Sequence, residues 1–455
     1  MLKNHPYIPN ASMVMGDMLK TAGVEKVEDF FDDVPKFPFE ITEVPTEALD
    51  EISVKRRVEG ILGKNIVCPE RCFTGGGPWF HHVPSVIKHI ISRGEFLTSY
   101  TPYQFEVSQG VLQSLFEFQS MICELYDLDV ANASMYDLST AIGEAALLCS
   151  RVTGRKRFLV PKAIPHERRS VIDNYTISQG ISIQEVPFSE KDGGFKEENF
   201  KEQMGNDVAG VYVENPNYFG VVNDVRWVAD IAHDHGALCV IGSDPLSLGV
   251  LKPPGAAGAD VAVGDGQPLG IPPGLGGNTL GIMACRDDPR IIRQMPGRIV
   301  GMTKTLDGGR RGFVLALSTR EQHIRREKAT SNICTNETLF AIAATIYLSL
   351  LGGRGIAGVA KRIFGNTQYA IERLTKIDGV HAVFDGYYFR DFALTMDNAP
   401  EVDRYLSEVG IFGGRDLSNG FGGLQGGRLF SVSEIHTRED IDGLVAAVAA
   451  ASGGA

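Results

Sequence analysis

Gly258-Ala-Asp-Val-Ala-Val-Gly-Asp-Gly-Gln-Pro-Leu-Gly-Ile-Pro-Pro-Gly-Leu-Gly-Gly-Asn-Thr-Leu-Gly281 is the stretch whose reading decides the fold, and it contains no lysine. The short apolar run Ala259–Val263 has the length and composition of a buried strand, and Gly264-Asp-Gly-Gln267 then opens a loop dense in Gly and Pro. Some 20 residues earlier, Ala237–Ile241 reads as a second buried strand, closed by Gly242-Ser-Asp244. The chain therefore sets a carboxylate beyond one strand and an amide, Gln267, beyond the next. An amide nitrogen is neither basic nor nucleophilic enough to condense with an aldehyde.

Outward from this pair the pattern alternates. Strands are expected at Phe158–Val160, Ile181–Pro187, Val208–Glu214 and Thr279–Ala284, with helices near Arg168–Gly180, Glu197–Met204 and Val225–His235. Alternation of this kind specifies an α/β domain, a mostly parallel sheet covered by helices. Ligands of such sheets gather at the carboxyl ends of the strands, where Asn215, Asp244 and Gln267 all fall.

Upstream, Phe96–Gln104 carries two tyrosines, two threonines, a serine and a glutamine around Pro102, a set suited to orienting a small polar ligand or to a surface turn. The helix that follows repeats Leu112, Leu115, Phe116, Ile122, Leu125 and Tyr126 on one face and reads as core. Leu128–Thr140 leads into a helix over Ala141–Arg151 that Ser139 or Thr140 can cap, its N-terminus being a candidate anion site. Phe73-Thr-Gly-Gly-Gly-Pro-Trp79 lacks the residues of a phosphate loop or dinucleotide fingerprint. It allows either a close backbone approach or a turn. Cys68 and Cys72 are separated by three residues with no second pair nearby, which does not support a zinc site.

Residues 1–60, with Pro35, Pro38 and Pro45 and a helical piece at Ala11–Gly23, read as an arm buried against a partner or the main domain. A large domain over 61–350 follows, and Gly352–Gly355 marks the expected boundary to a small α+β domain over 351–455. That domain is read as a helix at Ile356–Lys376, strands at Val380–Phe384, Tyr388–Met396 and Leu429–Ser433, and helices at Pro400–Val409 and Thr437–Ala450. Ser318–Thr330, dense in both charge signs, reads as a solvated helix. The formal charge of −12 over 455 residues disfavours nucleic acid or anionic membrane as the main partner. Seven cysteines, an odd number, suggest reduced thiols; with neither a signal segment nor an uninterrupted apolar run of spanning length, the expected location is the cytoplasm.

The layout of strand–Asp and then strand–loop is that of aspartate-aminotransferase-type enzymes of pyridoxal phosphate (PLP), with Gln267 where the cofactor lysine is expected. The segments SYTPYQFEVSQG, DVANASMYDLSTAIGEA, ENPNYFG, GALCVIGSDPLSLGVLKPPGAAGADVAVGDGQPLG and STREQHIRREKATSNICTN resemble the glycine cleavage system P-protein, in its subunit 1 or alpha form, over nearly the whole chain. Phe105, where proline is usual, and Ala316–Ser318 depart slightly from the pattern. The resemblance implies a fold-type I PLP-transferase scaffold and a partner, subunit 2, that carries the PLP lysine, in an α2β2 heterotetramer. It implies a reaction in which glycine loses its carboxylate as CO2 and its aminomethyl group passes to the lipoyl group of H-protein. It also implies that Thr98, Tyr100, Thr101, Pro102, Tyr103, Gln104, Asn132 and Ser134 lie nearest the working site, with Asp244 and Gln267 as vestiges of a cofactor site. Two other readings compete: a stand-alone PLP enzyme using Lys252 or Lys304, which the positions of those lysines disfavour, and a purely architectural or regulatory subunit.

Overall fold

The computed structural model describes residues 12–34, 48–274, 279–418 and 420–453, which fall in two compact units, Met1–Ile66 and Val67–Ala455. In the first unit, α1 (Ser12–Ala22) matches the expected helical piece, and α2 (Glu51–Leu62) starts at Asp50, whose carboxylate accepts from Ser53 N. No residue of α2 is buried; Ile52, Ile61 and Leu62 are each more than half exposed. Asn4–Pro9, Pro35, Pro38 and Pro45 lie outside the described residues.

The second unit is built on a seven-stranded sheet in the order β1-β7-β6-β5-β4-β2-β3. The strands are β1 (Val130–Ala131), β2 (Arg157–Pro161), β3 (Ser182–Val186), β4 (Val208–Glu214), β5 (Leu238–Gly242), β6 (Val261–Asp265) and β7 (Gly281–Cys285). β7 runs antiparallel to both its neighbours, and the other pairs are parallel. Alternate residues face opposite ways, as the pleat requires. Tyr212, Val240 and Val263 pack with α6 (Leu138–Thr153) and α7 (His166–Ile177), whereas Val211, Cys239 and Ile241 pack towards α8 (Glu197–Gln203) and α9 (Arg226–Asp234). The small residues of α6 permit close packing: a Cβ on Gly143 would come within 2.8 Å of the Tyr175 ring.

After the short α3 (Ser85–Ile91) and α4 (Gly94–Leu97), α5 (Gln109–Tyr126) buries Leu112, Leu115, Ile122 and Tyr126 as its periodicity predicts, with Phe116 and Leu125 at the margin. Two glutamines on α5 dock a hairpin that the sequence reading missed, β8 (Ile299–Lys304) with β9 (Arg311–Ala316). Gln119 accepts from Val300 N at 2.9 Å and donates to Val300 O at 3.0 Å, and Gln109 does the same to Phe313 at 2.8 and 2.9 Å. These side-chain amides replace a missing strand partner.

Beyond α10 (Pro289–Ile292), Ser318–Thr330 is a run of short turns around α11 (Gln322–Arg325), not the single solvated helix expected. Arg320 turns inward, donating to Gly297 O at 3.0 Å and also to Met295 O. α12 (Thr338–Leu374) begins eighteen residues before the expected Ile356, and Gly352, with φ 56, kinks it inside the expected domain boundary. The kink lets one apolar helix serve two cores, Ala341–Leu348 beside α5 and Ala370 with Leu374 under the second sheet. α12 is long and apolar enough to span a membrane by composition, but Ile342, Tyr347 and Ile363 are buried in protein. The second sheet, β10-β11-β13-β12, comprises β10 (Val380–Ala382), β11 (Asp391–Met396), β12 (Arg415–Asp416) and β13 (Gly427–Ser431), with α13 (Ala399–Glu408) and α14 (Arg438–Ala451) upon it. Thr437 and Asp440 form the expected capping box on α14.

Candidate functional site

Two regions of the second unit collect the residues of interest. At the carboxyl ends of β4, β5 and β6 a cavity of about 50 Å³ is lined by Trp79, Arg168, Glu214, Asp244, Asp265 and Arg390, among others. Asn215, Asp244 and Gln267 lie past these strand ends as expected. The Gly-rich loop reaches the small sheet: Gly75 N donates to Leu429 O at 3.0 Å, and a Cβ there would meet Leu429 at 2.7 Å. Its last residue, Trp79, turns into the cavity.

PLP does not fit this cavity. A drug-sized ligand site occupies hundreds of Å³, several times the space present. Among the lining residues there is no lysine, and Lys252 and Lys304 are both exposed elsewhere. Gln267 is 2% exposed and fully engaged: its Nε2 donates to Trp79 O at 3.0 Å and Ile271 O at 2.8 Å, and its Oε1 accepts from Trp79 N at 3.3 Å. The amide is a structural tie between loops. Leu138, the first residue of α6, lines the cavity, but the cap is Asp137, not Ser139 or Thr140, and its carboxylate accepts from Thr140 N at 2.7 Å. An anion here would meet a carboxylate where an open helix end would have attracted it. Burial lifts the Asp265 carboxyl to about 6, against the hydrogen bond from Gln267 N.

The second region lies beside α5, where the segment 98–104 meets the start of β8. Its centre is Arg298, which the sequence reading missed although it follows the turn-forming Pro296-Gly297. Its side chain is 3% exposed and fixed by three loops. It donates to Thr101 Oγ1, to Asn336 Oδ1 at 3.3 Å and to Cys334 O at 3.0 Å, and its guanidinium carbon lies 4.7 Å from the centre of the Tyr103 ring. Glu321 Oε2, at 3.9 Å, balances the charge. Asn336 in turn donates to Ser134 Oγ at 3.1 Å, which also accepts from Glu337 N at 3.0 Å. Asn132 donates to Pro296 O at 3.1 Å, and Ala133 N to Arg298 O at 2.8 Å.

Four expected site residues, Thr101, Tyr103, Asn132 and Ser134, are thus brought to one cluster. Thr98, Tyr100 and Gln104 sit on the same segment but face outward: Tyr100 is 78% exposed, and Thr98 Oγ1 is spent on its own helix at Gly94 O. Burial, helped by the contact with Cys334, holds the Tyr103 phenol above its usual range against the pull of Arg298. The ring hydroxyl therefore stays protonated at neutral pH. The cluster can orient a polar molecule through phenols and hydroxyls. Its arginine is committed to its own loops.

Residues 5–448 match the family described as Glycine cleavage system P-protein. Proteins named probable glycine dehydrogenase (decarboxylating) subunit 1 are 44% identical in Staphylothermus marinus, over 98% of this chain and 97% of that one, and 45% identical in Moorella thermoacetica, over 97% and 98%. A crystal structure of glycine decarboxylase (P-protein) of the glycine cleavage system, in inhibitor-bound form, superposes with TM-score 0.84 at 40% identity, covering 98% of this chain and 99% of that chain. The sphingosine-1-phosphate lyase of Burkholderia pseudomallei, at 14% identity and TM-score 0.67 over 91% of this chain and 93% of that one, shares the fold. With the sheet and these matches in agreement, the chain belongs to the glycine cleavage system P-protein family, in its subunit 1 form, on the fold-type I scaffold of PLP-dependent enzymes.

Proposed function

We propose that the chain is the non-PLP half of a glycine decarboxylase. In this reading it joins a PLP-bearing subunit 2 in a cytoplasmic α2β2 heterotetramer, aminomethyl-transferring in activity, that releases CO2 from glycine and passes the aminomethyl group to the lipoyl group of H-protein. PLP on the partner supplies the electron sink for the carbanion. This chain's residues orient and enclose: Arg298 holds Thr101 and Tyr103 in place, and Tyr100 and Tyr103 present phenols towards glycine or the lipoyl arm. The observation that carries the reading is the contrast between an outward-facing polar aromatic segment and a narrow strand-end cavity without a lysine. A chain built to act alone would keep a lysine and room for a cofactor at the strand ends. The exposed apolar residues Ile52, Ile61 and Leu62 of α2 support a role in gripping a partner.

The test is glycine–bicarbonate exchange with H-protein, measured for this chain, for a lysine-bearing subunit 2, and for the two co-expressed. Activity only in the pair is expected. Activity in the partner alone would reduce this chain to an architectural subunit, and activity in this chain alone would overturn the lysine argument.

A further inference from the structure

The narrow strand-end cavity is filled by one side chain. Arg390 immediately precedes β11 and is 3% exposed. Its guanidinium carbon lies over the Trp79 ring, 3.4 Å from its centre, and its Nη1 lies 3.0 Å from Asp244 Oδ2. The same nitrogen donates to His81 Nε2 at 3.2 Å; because a guanidinium has only donors, His81 accepts there and turns its Nδ1 to Glu434 Oε2 at 2.8 Å. The backbone is held in the left-handed region, at φ 63, a conformation that a residue with a Cβ adopts only when its surroundings impose it.

We infer that Trp79, Asp244 and His81 form a slot for a flat, positively charged ring, and that Arg390 fills this slot from within the same chain. The match is incomplete in a telling way. The Arg390–Asp244 pair is close enough for ion pairing but out of line for a hydrogen bond, and among the described residues neither Asp244 Oδ2 nor Arg390 Nε has a hydrogen-bond partner. A protonated pyridine stacked on Trp79 could direct a single N–H at that orphaned carboxylate oxygen, which the forked guanidinium does not. Without Arg390, the lining keeps Glu214, Asp244, Asp265 and Asp391 against Arg168, a field that favours a cation. The slot is also selective against phosphate, because Asp137 caps the helix end that opens on it. This inference concerns the chain's own residues and stands independently of the partner reading above.

The test uses the full-length chain, wild type and Arg390→Gly, glycine being at ease at the φ of this position. Each is titrated with pyridoxine and with pyridoxine phosphate, which lack the aldehyde and so cannot react with surface lysines. Binding is read by quenching of tryptophan fluorescence, Trp79 being one of two tryptophans, and by the unfolding temperature. The wild type should respond to neither ligand. The variant should bind pyridoxine saturably, roughly tenfold more tightly than pyridoxine phosphate, and Asp137→Asn should narrow that ratio. Equal responses from wild type and variant, or a folded variant that binds neither ligand, would overturn the inference. If Arg390→Gly does not fold alone, pyridoxine or methylguanidinium at millimolar concentration should restore folding by refilling the slot, and failure of both would count equally against it.

Discussion

The strand ends and the edge beside α5 carry similar side chains, an arginine stacked on an aromatic ring amid hydroxyls, amides and carboxylates, and put them to opposite uses. At the strand ends the aromatic partner Trp79 is turned inward, and the arginine closes a cavity of about 50 Å³. At the edge the partner Tyr103 is half exposed, and Arg298 holds up a segment whose neighbour Tyr100 is 78% exposed. The difference shows that residue inventory does not make an active site. Whether a polar cluster is sealed or presented depends on which element supplies the other half of its contacts. At the strand ends β11 and the Gly-rich loop supply it, and at the edge no described element covers the tyrosines.

The contrast can be tested most severely at Gly220, which lines the narrow strand-end cavity at φ 83. A Cβ there would lie 1.8 Å from Asp391 O, so Gly220→Ala should cost more than about 4 kcal/mol or abolish soluble expression. A variant with an unchanged urea midpoint would show that the strand ends are not rigidly closed. At the edge, Arg298→Ala removes a buried cation and leaves Cys334 O and Glu321 without it. About 2–4 kcal/mol of stability should be lost, together with turnover of the co-expressed pair. Arg298→Lys should recover more stability than turnover, because an ammonium cannot stack flat on Tyr103 while reaching three loops.

Glu144 of α6 is buried and accepts a hydrogen bond from Ser331, in the loop that carries Asn336. Burial raises its carboxyl from 4.5 to about 7, against the Ser331 hydrogen bond. The folded chain therefore keeps a proton that the unfolded chain has lost across that window. Stability attributable to Glu144 is present below about pH 4.5 and falls as pH rises to about 7. Glu144→Gln should raise stability by about 1–3 kcal/mol at pH 8 and change it little at pH 4, measured by denaturant unfolding at the two pH values. The opposite slope would mean that Glu144 is ionised in the fold. The smallest effect on stability, within about 0.5 kcal/mol, is expected for Tyr100→Ala, since its ring is mostly in solvent. Turnover of the assembled pair should nonetheless fall, and unchanged turnover would remove the edge segment from the working site.

Local pattern determined a good deal of this protein. Val208–Glu214 is apolar on both faces and could only be a central strand, and its predicted bounds match β4 to the residue. Thr437 with Asp440, three positions apart, encodes a helix start through contacts that close within one turn. The missing lysine between Gly258 and Gly281 needs no coordinates to exclude a covalent cofactor link there. Tertiary structure decided what depends on partners distant in the chain. Arg298 becomes the centre of a site only because Thr101 arrives from one segment, 197 residues away, and Cys334 with Asn336 from another. Arg390 plugs the strand ends only because the small sheet lays it on Trp79, 311 positions earlier in the chain, and against Asp244. Hydrogen bonds within a turn leave a spacing that can be read from sequence, whereas an ion pair or stack closed across hundreds of residues leaves none, and its sign and geometry are fixed only when the cores pack.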